Sequence, residues 1–460
     1  MAKKKENTLE EKLQEALVPE NQWPYILPEN WCWTRLGKIT NVVGGGTPSS
    51  SKKEYYDNGT IPWLSPADLS GYSDIYISRG QKNITELGLS KSSARLMPKD
   101  TVLLSSRAPI GYVAIASNSI STNQGFKNFL PSDAFYSRFL YWYLKSSKSL
   151  LESYASGTTF LELSGSKASM VEFPLPPLPE QKRIVYRIES LFSKLDEAKE
   201  KIQQVLDGAE MRKVAILHKA FTGELTKNWR KENGISEDSW VEYTLQSVCT
   251  MKITDGTHKT PTYSDKENGV VFLSAKDITS GEINWENTKY ITSELHKELY
   301  SRLAPQINDI LLAKNGTTGV AALVKEDKVF DIYVTLALLR PNVEIVIPEY
   351  LLNIINSPLC KVQFNENLTG IGVPNLHLRD IKDVKIKVPS ISEQEIISDK
   401  VEMLLANEGM VTKNCLKQIE VIDTMKKSIL AKAFRGELGT NNPNEDSALN
   451  LLKEVLQDKS

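Results

Sequence analysis

"PEQKRIVYRIESLF", Pro179–Phe192, is answered 213 residues later by "SEQEIISDKVEMLL", Ser392–Leu405. Extended from Glu180 to Leu225 without a gap, the alignment holds 14 identities in 46 positions. It closes on "AFTGEL" (Ala220–Leu225) against "AFRGEL" (Ala433–Leu438). Chance would supply roughly three, so the chain carries an internal duplication. In the first copy Ile184, Ile188, Leu191, Leu195, Ala198, Ile202, Val205 and Ala209 alternate steps of four and three. That is the seam of helices packed side by side in a coiled coil. Val214, Leu217 and Phe221 continue on a shifted phase, the mark of a stutter. The second copy opens the same register with Ile397, Val401 and Leu404, and Ile419, Ile422, Met425 and Ile429 carry its later part. "PLPPLP" and Pro389 fix where each helix begins, and Gly223 and Gly436 stand where a helix C-cap would. Each helix is expected to run about 40 residues, or about 60 Å.

The segments ahead of the helices repeat more loosely. "IPWLSPADLS" (Ile61–Ser70) faces "VVFLSAKDIT" (Val270–Thr279), and "DTVLLSSRAPIG" (Asp100–Gly111) faces "NDILLAKNGTTG" (Asn308–Gly319), both at an offset close to 209. The offset drifts there and stays fixed in the helices, so helix length was held while the globular surfaces varied. Short β-branched runs between Gly, Pro, Asn and Ser predict two mixed α/β globules. The whole reads as an α+β chain with a pseudo-twofold. The expected parts are an N-terminal helical segment (1–30), globule one (31–173), a spacer helix with connector (174–239), globule two (240–388), a second spacer helix (389–440) and a tail with a short helix (441–460).

Composition bounds the function. The 460 residues are 40% hydrophobic and 25% charged with a net charge of −1, an ordinary globular balance. Cys32, Cys249, Cys360 and Cys415 form no CxxC pair, and the four histidines fall in no metal-ligand spacing, so neither a disulfide framework nor a zinc knuckle is expected. No apolar run reaches membrane length, and the charged "MAKKKENTLEEKL" lacks the apolar region of a signal peptide, so a cytoplasmic protein is expected. "GGGTPSSSK" lacks phosphate-loop spacing and reads as a turn. "NNPN" and the two "F-x-G-E-L" stretches depart from methyltransferase motifs. No catalytic, metal or cofactor-binding residue is expected in this chain.

Duplication without chemistry points to binding. The globule loops combine glycine with side chains that hydrogen-bond phosphates and base edges. In the first globule these are Thr47, Ser49, Lys52, Lys53, Tyr55, Ser106, Arg107, Asn123, Gln124 and Lys127; in the second they are Thr257, His258, Lys259, Lys314, Asn315 and Thr317. Residues 31–173 hold 15 basic and 10 acidic side chains, whereas 240–388 hold 16 and 18. Any basic face on the second globule must therefore come from spatial segregation.

Two globules, each followed by a helix carrying "PEQKRI…AFTGEL" or "SEQEII…AFRGEL", with "GGGTPS" and "IPWLSPADL" opening the first, resemble the specificity subunit of type I restriction–modification systems. The resemblance covers almost the whole chain. It implies that each globule is a target-recognition domain reading one half of a bipartite DNA sequence, with the antiparallel helices as spacer. It also implies partners: double-stranded DNA, two modification subunits supplying S-adenosylmethionine and adenine-N6 methyl transfer, and two restriction subunits supplying ATP- and Mg-dependent translocation and cleavage. Helix-face lysines Lys213, Lys219, Lys426 and Lys432 are expected at the docking seams. A specificity subunit of a methylation-only or non-standard system and a coiled-coil scaffold without DNA readout remain as alternatives.

Overall fold

The computed structural model describes residues 8–157, 161–366, 368 and 374–458; Met1–Asn7 of the charged N-terminal stretch and the last two residues of the tail lie outside the described residues. It divides into two compact units. One comprises residues 1–201 and 418–460, the other residues 202–417.

In the first unit a five-stranded sheet runs Val42–Gly44, Phe126–Phe129, Val102–Ser106, Ile110–Ala116, Tyr76–Ile77, antiparallel except for its last pair. A four-stranded sheet runs Lys82–Ile84, Ile61–Leu64, Ile120–Thr122, Leu96–Met97. A two-stranded ladder pairs Cys32–Arg35 with Glu172–Leu175. Every residue of Val102–Ser106 is buried, because the strand is covered on both faces. The second unit repeats the plan. Its sheets run Thr254–Asp255, Leu336–Leu339, Ile310–Ala313, Ala321–Leu323 and Tyr263–Ser264, Lys289–Ile291, Val270–Leu273, Phe330–Ile332, and its ladder pairs Val241–Thr244 with Lys385–Val388. The strands that carry the loose sequence repeat occupy matching places.

Each unit holds the start of one long helix and the end of the other. In the first, Leu178–Asp207 begins and Ile391–Phe434 finishes; Lys199 Nζ meets Asp423 Oδ1 at 2.9 Å and Lys426 pairs with Asp196. In the second, Arg212 Nε lies 2.9 Å from Glu408 Oε2, and Lys400 Nζ donates to the Leu225 carbonyl at 3.3 Å. Partner numbers fall on one helix as they rise on the other, so the pairing is antiparallel in both units.

The helix starts are fastened by the repeated Glu-Gln. Gln181 Nε2 donates to the carbonyls of Ala134 and Pro176, and its Oε1 accepts from Tyr136 N at 2.8 Å. Gln394 does the same with Ile345, Pro389 and Ile347 N at 2.9 Å. The neighbouring carboxylates are buried too. Glu180 accepts from Trp31 Nε1 (3.0 Å), while Glu393 accepts from Trp240 Nε1 (3.2 Å), Thr226 and Arg230 Nη1 (2.5 Å). The helix ends are sealed by their phenylalanines: Phe434 packs edge-on against Phe139 and Tyr143, and Phe221 against Tyr350. Gly223 (φ +80°) and Gly436 (φ +74°) adopt the left-handed conformation that ends a helix.

The seam differs from the expected one at the Gly208 break, at Val214, which is 46% exposed, and at Met425. The first helix is two segments, Leu178–Asp207 and Ala209–Phe221, parted at Gly208, whereas Ile391–Phe434 is unbroken over 44 residues. At the break Val205 turns outward, 40% exposed, and Leu206 takes the half-buried place; Arg212 Nη2 caps the Val205 carbonyl at 3.0 Å. In the second helix Met425 is 46% exposed, while Ile422 and Leu430 are buried. The first-unit core also takes in segments far apart in the chain. Helix Leu9–Ala16 packs with Ala448–Asp458, Ala448 N bonds to the Asn30 carbonyl, and Tyr25 Oη donates to the Phe434 carbonyl. In the second unit one continuous connector, carrying Thr226, Arg230 and Trp240, does this work.

Candidate nucleic-acid interface

At one end of the first unit's five-stranded sheet, three loops are locked together by backbone bonds. Gly46 N donates to the Thr122 carbonyl (2.9 Å), Ser106 N to Gly125 (2.7 Å) and Leu163 N to Ser106 (2.9 Å). A Cβ on Gly45 would lie 2.0 Å from the Asn123 carbonyl, so only glycine lets these strands of chain approach. This framework gathers six of the expected residues. Thr47 Oγ1 bonds to the Gln124 side chain, Asn123 Oδ1 accepts from Gly125 N, and Lys127 Nζ reaches Ser106 Oγ at 3.2 Å. Arg107 stands half-exposed with Nη1 3.9 Å from Glu162, which also lies 3.8 Å from Lys127 Nζ. Burial pushes the Lys127 ammonium below the usual lysine range, an effect that Glu162 partly offsets.

The loop running on from Thr47 exposes Ser49, Lys52 and Lys53. Tyr55 is buried beneath them, with Lys52 Nζ 5.2 Å from its ring centroid and the Tyr55 carbonyl accepting from Thr85 N.

The second unit builds the same end with different side chains. Thr257 N bonds to the Ile332 carbonyl, Lys314 N to Thr335 and Leu376 N to Lys314; a Cβ on Gly256 would lie 1.9 Å from Ile332 O. Thr257 is buried, and Lys314 is buried in an ion pair with Asp255. Asp255 also faces His258 Nε2 at 3.2 Å, and its carbonyl accepts from Arg302 Nη2 at 3.1 Å. His258, Lys259 and Thr317 are exposed, Asn315 is half-buried against Asn375, and Lys259 lies 2.9 Å from Glu298. The excess of acidic residues in 240–388 is thus spent partly on locking the loop cations.

Five expected residues therefore sit inside the loop framework: Tyr55, Ser106, Lys127, Thr257 and Lys314. Thr47, Ser49, Lys52, Lys53, Gln124, His258, Lys259 and Thr317 stand exposed on it, with Arg107, Asn123 and Asn315 half-exposed. Sequence reading missed Glu162 and Asp255, whose carboxylates face the loop cations, and Arg302, which donates to the Asp255 carbonyl. On the helices, Lys213, Lys219 and Lys426 each pair with a carboxylate, and Lys432 is exposed. Among the described residues no group of acidic, histidine and cysteine side chains has the geometry to hold a metal ion, and no helix is long and apolar enough to cross a membrane.

A family model described as the type I restriction modification DNA specificity domain matches residues 28–207 and again 237–421. The specificity subunit of the type I restriction enzyme MjaIX from Methanocaldococcus jannaschii is 31% identical over 438 residues, covering 90% of this chain and 94% of its own. The EcoKI specificity subunit of Escherichia coli K12 is 24% identical over 460 residues, covering 94% and 96%. The crystal structure of the HsdS subunit from Thermoanaerobacter tengcongensis shares the fold, with a TM-score of 0.61 at 18% identity over 91% of this chain and 100% of that one.

Proposed function

Because this chain belongs to the type I restriction–modification DNA specificity family, we propose that it is the DNA-recognition subunit of a type I complex, each globule reading one half of a bipartite target. The observation that carries this reading is the loop cluster built twice. One backbone framework recurs at matching ends of two matching sheets, and the polar side chains mounted on it differ. A repeated frame with unlike side chains suits two readers of unlike half-sequences.

In this reading the exposed members, Thr47, Lys52, Lys53, Arg107 and Gln124 in one half and His258, Lys259, Asn315 and Thr317 in the other, meet DNA. The buried Ser106, Lys127, Thr257 and Lys314 hold the loops in shape. The paired helices set the number of unread base pairs between the halves. The chain itself is not catalytic: two modification subunits supply S-adenosylmethionine and methyl transfer on a flipped adenine, and two restriction subunits supply ATP-driven translocation and cleavage. Their two-to-one ratio follows from the duplicated helix motif.

Replacing residues 31–173 with the globule of another specificity subunit tests the assignment, read by mapping methylated adenines across the genome of cells carrying the hybrid. One half-sequence is expected to change while the other half and the gap persist. A change in both halves refutes independent reading. Methylation without ATP-dependent cleavage in the purified complex would instead place the chain in a methylation-only system.

A further inference from the structure

The two halves differ at one place where the duplication predicts sameness. Tyr136 and Ile347 are bonded alike by Gln181 and Gln394, which aligns helix Ser137–Ser146 with helix Pro348–Ile355. In the first unit the cleft between that helix and the opening turns of the long helix is filled. Trp142 packs edge-on against Phe192 with centroids 5.1 Å apart and donates its Nε1–H to Glu189, which also pairs with Arg138 at 2.8 Å.

The equivalent positions of the second unit carry Asn353 for Trp142, Leu405 for Phe192 and Glu349 for Arg138, while Glu402 keeps the place of Glu189. The aromatic plug and the cation are gone, and the acid remains. What results is a groove of about 730 Å³. Its floor is apolar, with Leu217, Leu352, Leu405 and Trp285. Along one wall Glu395, Asp399 and Glu402 project from successive turns of the long helix, with Glu349 opposite. None of these four carboxylates forms an ion pair among the described residues. On the facing wall Glu326 is already paired with Lys328 at 2.7 Å and Lys325 lies 3.9 Å from Glu282, so the open charge of the groove is that of Glu349, Glu395, Asp399 and Glu402. Between the acids sits the Ser398 hydroxyl, 7% exposed and without a hydrogen-bond partner.

We propose that this groove takes a cationic amphipathic segment of a partner polypeptide, one that brings in trans the large apolar side chain and the basic group that Trp142 and Arg138 provide in cis. The charge and the apolar floor both match that occupant, and an unspent hydroxyl donor waits at the wall. Since the first unit fills its own cleft, such a partner binds one per chain, unlike subunits that use the duplicated surfaces. The inference stands on the second unit's geometry and does not depend on which DNA is read.

The probe is a fluorescent helical alanine-based peptide carrying Arg and Trp four residues apart, the spacing of Arg138 and Trp142; its control has Glu in place of Arg. Titrated against the full chain, the Arg peptide is expected to saturate at one per chain and the Glu peptide to bind at least about tenfold more weakly. Asp399→Asn combined with Glu402→Gln, both exposed and harmless to the core, should weaken the Arg peptide by about tenfold with unchanged thermal unfolding. The double variant Glu349→Arg, Asn353→Trp, which rebuilds the first unit's plug, should abolish binding. Equal binding of both peptides, two sites per chain, or indifference to the Asp399 and Glu402 changes overturns the proposal. So does a concentration-dependent dimer in sedimentation that the Arg peptide dissolves, because a second copy would then be the occupant.

Discussion

Glu180 and Glu393 hold the same place in the duplication, yet they meet burial differently. Among the described residues Glu180 meets no buried cation, and desolvation raises its pKa above the usual carboxylate range despite the Trp31 hydrogen bond, the nearby charge of Arg183 and the Thr440 hydrogen bond. A carboxylate with a raised folded pKa binds protons more readily when folded, so stability falls as pH climbs from the unfolded value through the folded one. Glu180→Gln keeps an acceptor for Trp31 and Thr440; it should change stability by less than about 1 kcal/mol at neutral pH and flatten that acid-range dependence in urea titrations. Glu393→Gln strips the buried Arg230 of its counter-ion and should cost about 3–5 kcal/mol in the same assay. Sequence comparison exposed the repeated Glu-Gln at once. Its task stayed hidden because the partners, Ala134, Tyr136, Ile345 and Ile347, lie some way back in the chain and act through backbone atoms that leave no compositional trace. Lys314 was hidden for a different reason: its counter-ion is the side-chain carboxylate of Asp255, which comes from a distant strand.

At the level of the helix, apolar spacing carried most of the reading. Ile184, Ile188, Ile397 and Val401 are buried where the heptads put them. The seam departs from the heptad reading at Val205 and Val214, on either side of the Gly208 break, and at Met425, all three of which are exposed. Antiparallel pairing in both units means that a heptad cannot be taken from one helix without unmatching the other. Removing residues 196–202 together with 416–422 shortens each helix by about 10 Å, close to three base-pair steps. The recognised gap should then contract by about three base pairs while both half-sequences persist. Mapping of methylated adenines reads this, and an unchanged gap would sink the spacer role.

Across the whole molecule the duplication keeps the central strands of each sheet and the helix ends, but it is unequal in edge strands and in connection. The second unit is one continuous stretch, whereas the first closes only when residues 9–36 meet residues 430–456. Terminating the chain after Ser447 removes the buried Leu452, Val455 and Leu456. At about 1.5–3 kcal/mol for each side chain the three sum to about 4.5–9 kcal/mol, an upper estimate because a partly compact unfolded chain already buries some of this surface. Hydrogen exchange should show it confined to the first unit, with protection of Ile310–Ala313 and Leu336–Leu339 unchanged. Composition could not reveal this closure, since two short amphipathic helices at opposite ends of a sequence carry no sign that they belong together.

That closure also sets a clock on biosynthesis. A ribosome releases the second unit's residues as one run, free to collapse while later codons are still being read, but the first unit must hold its early segments unsatisfied until the final helix emerges. Its sealing contacts, such as Tyr25 with Phe434, span 409 residues and belong to the slow class of long-range closures. The nascent protein can therefore finish its second reader while its first still waits for helix Ala448–Asp458.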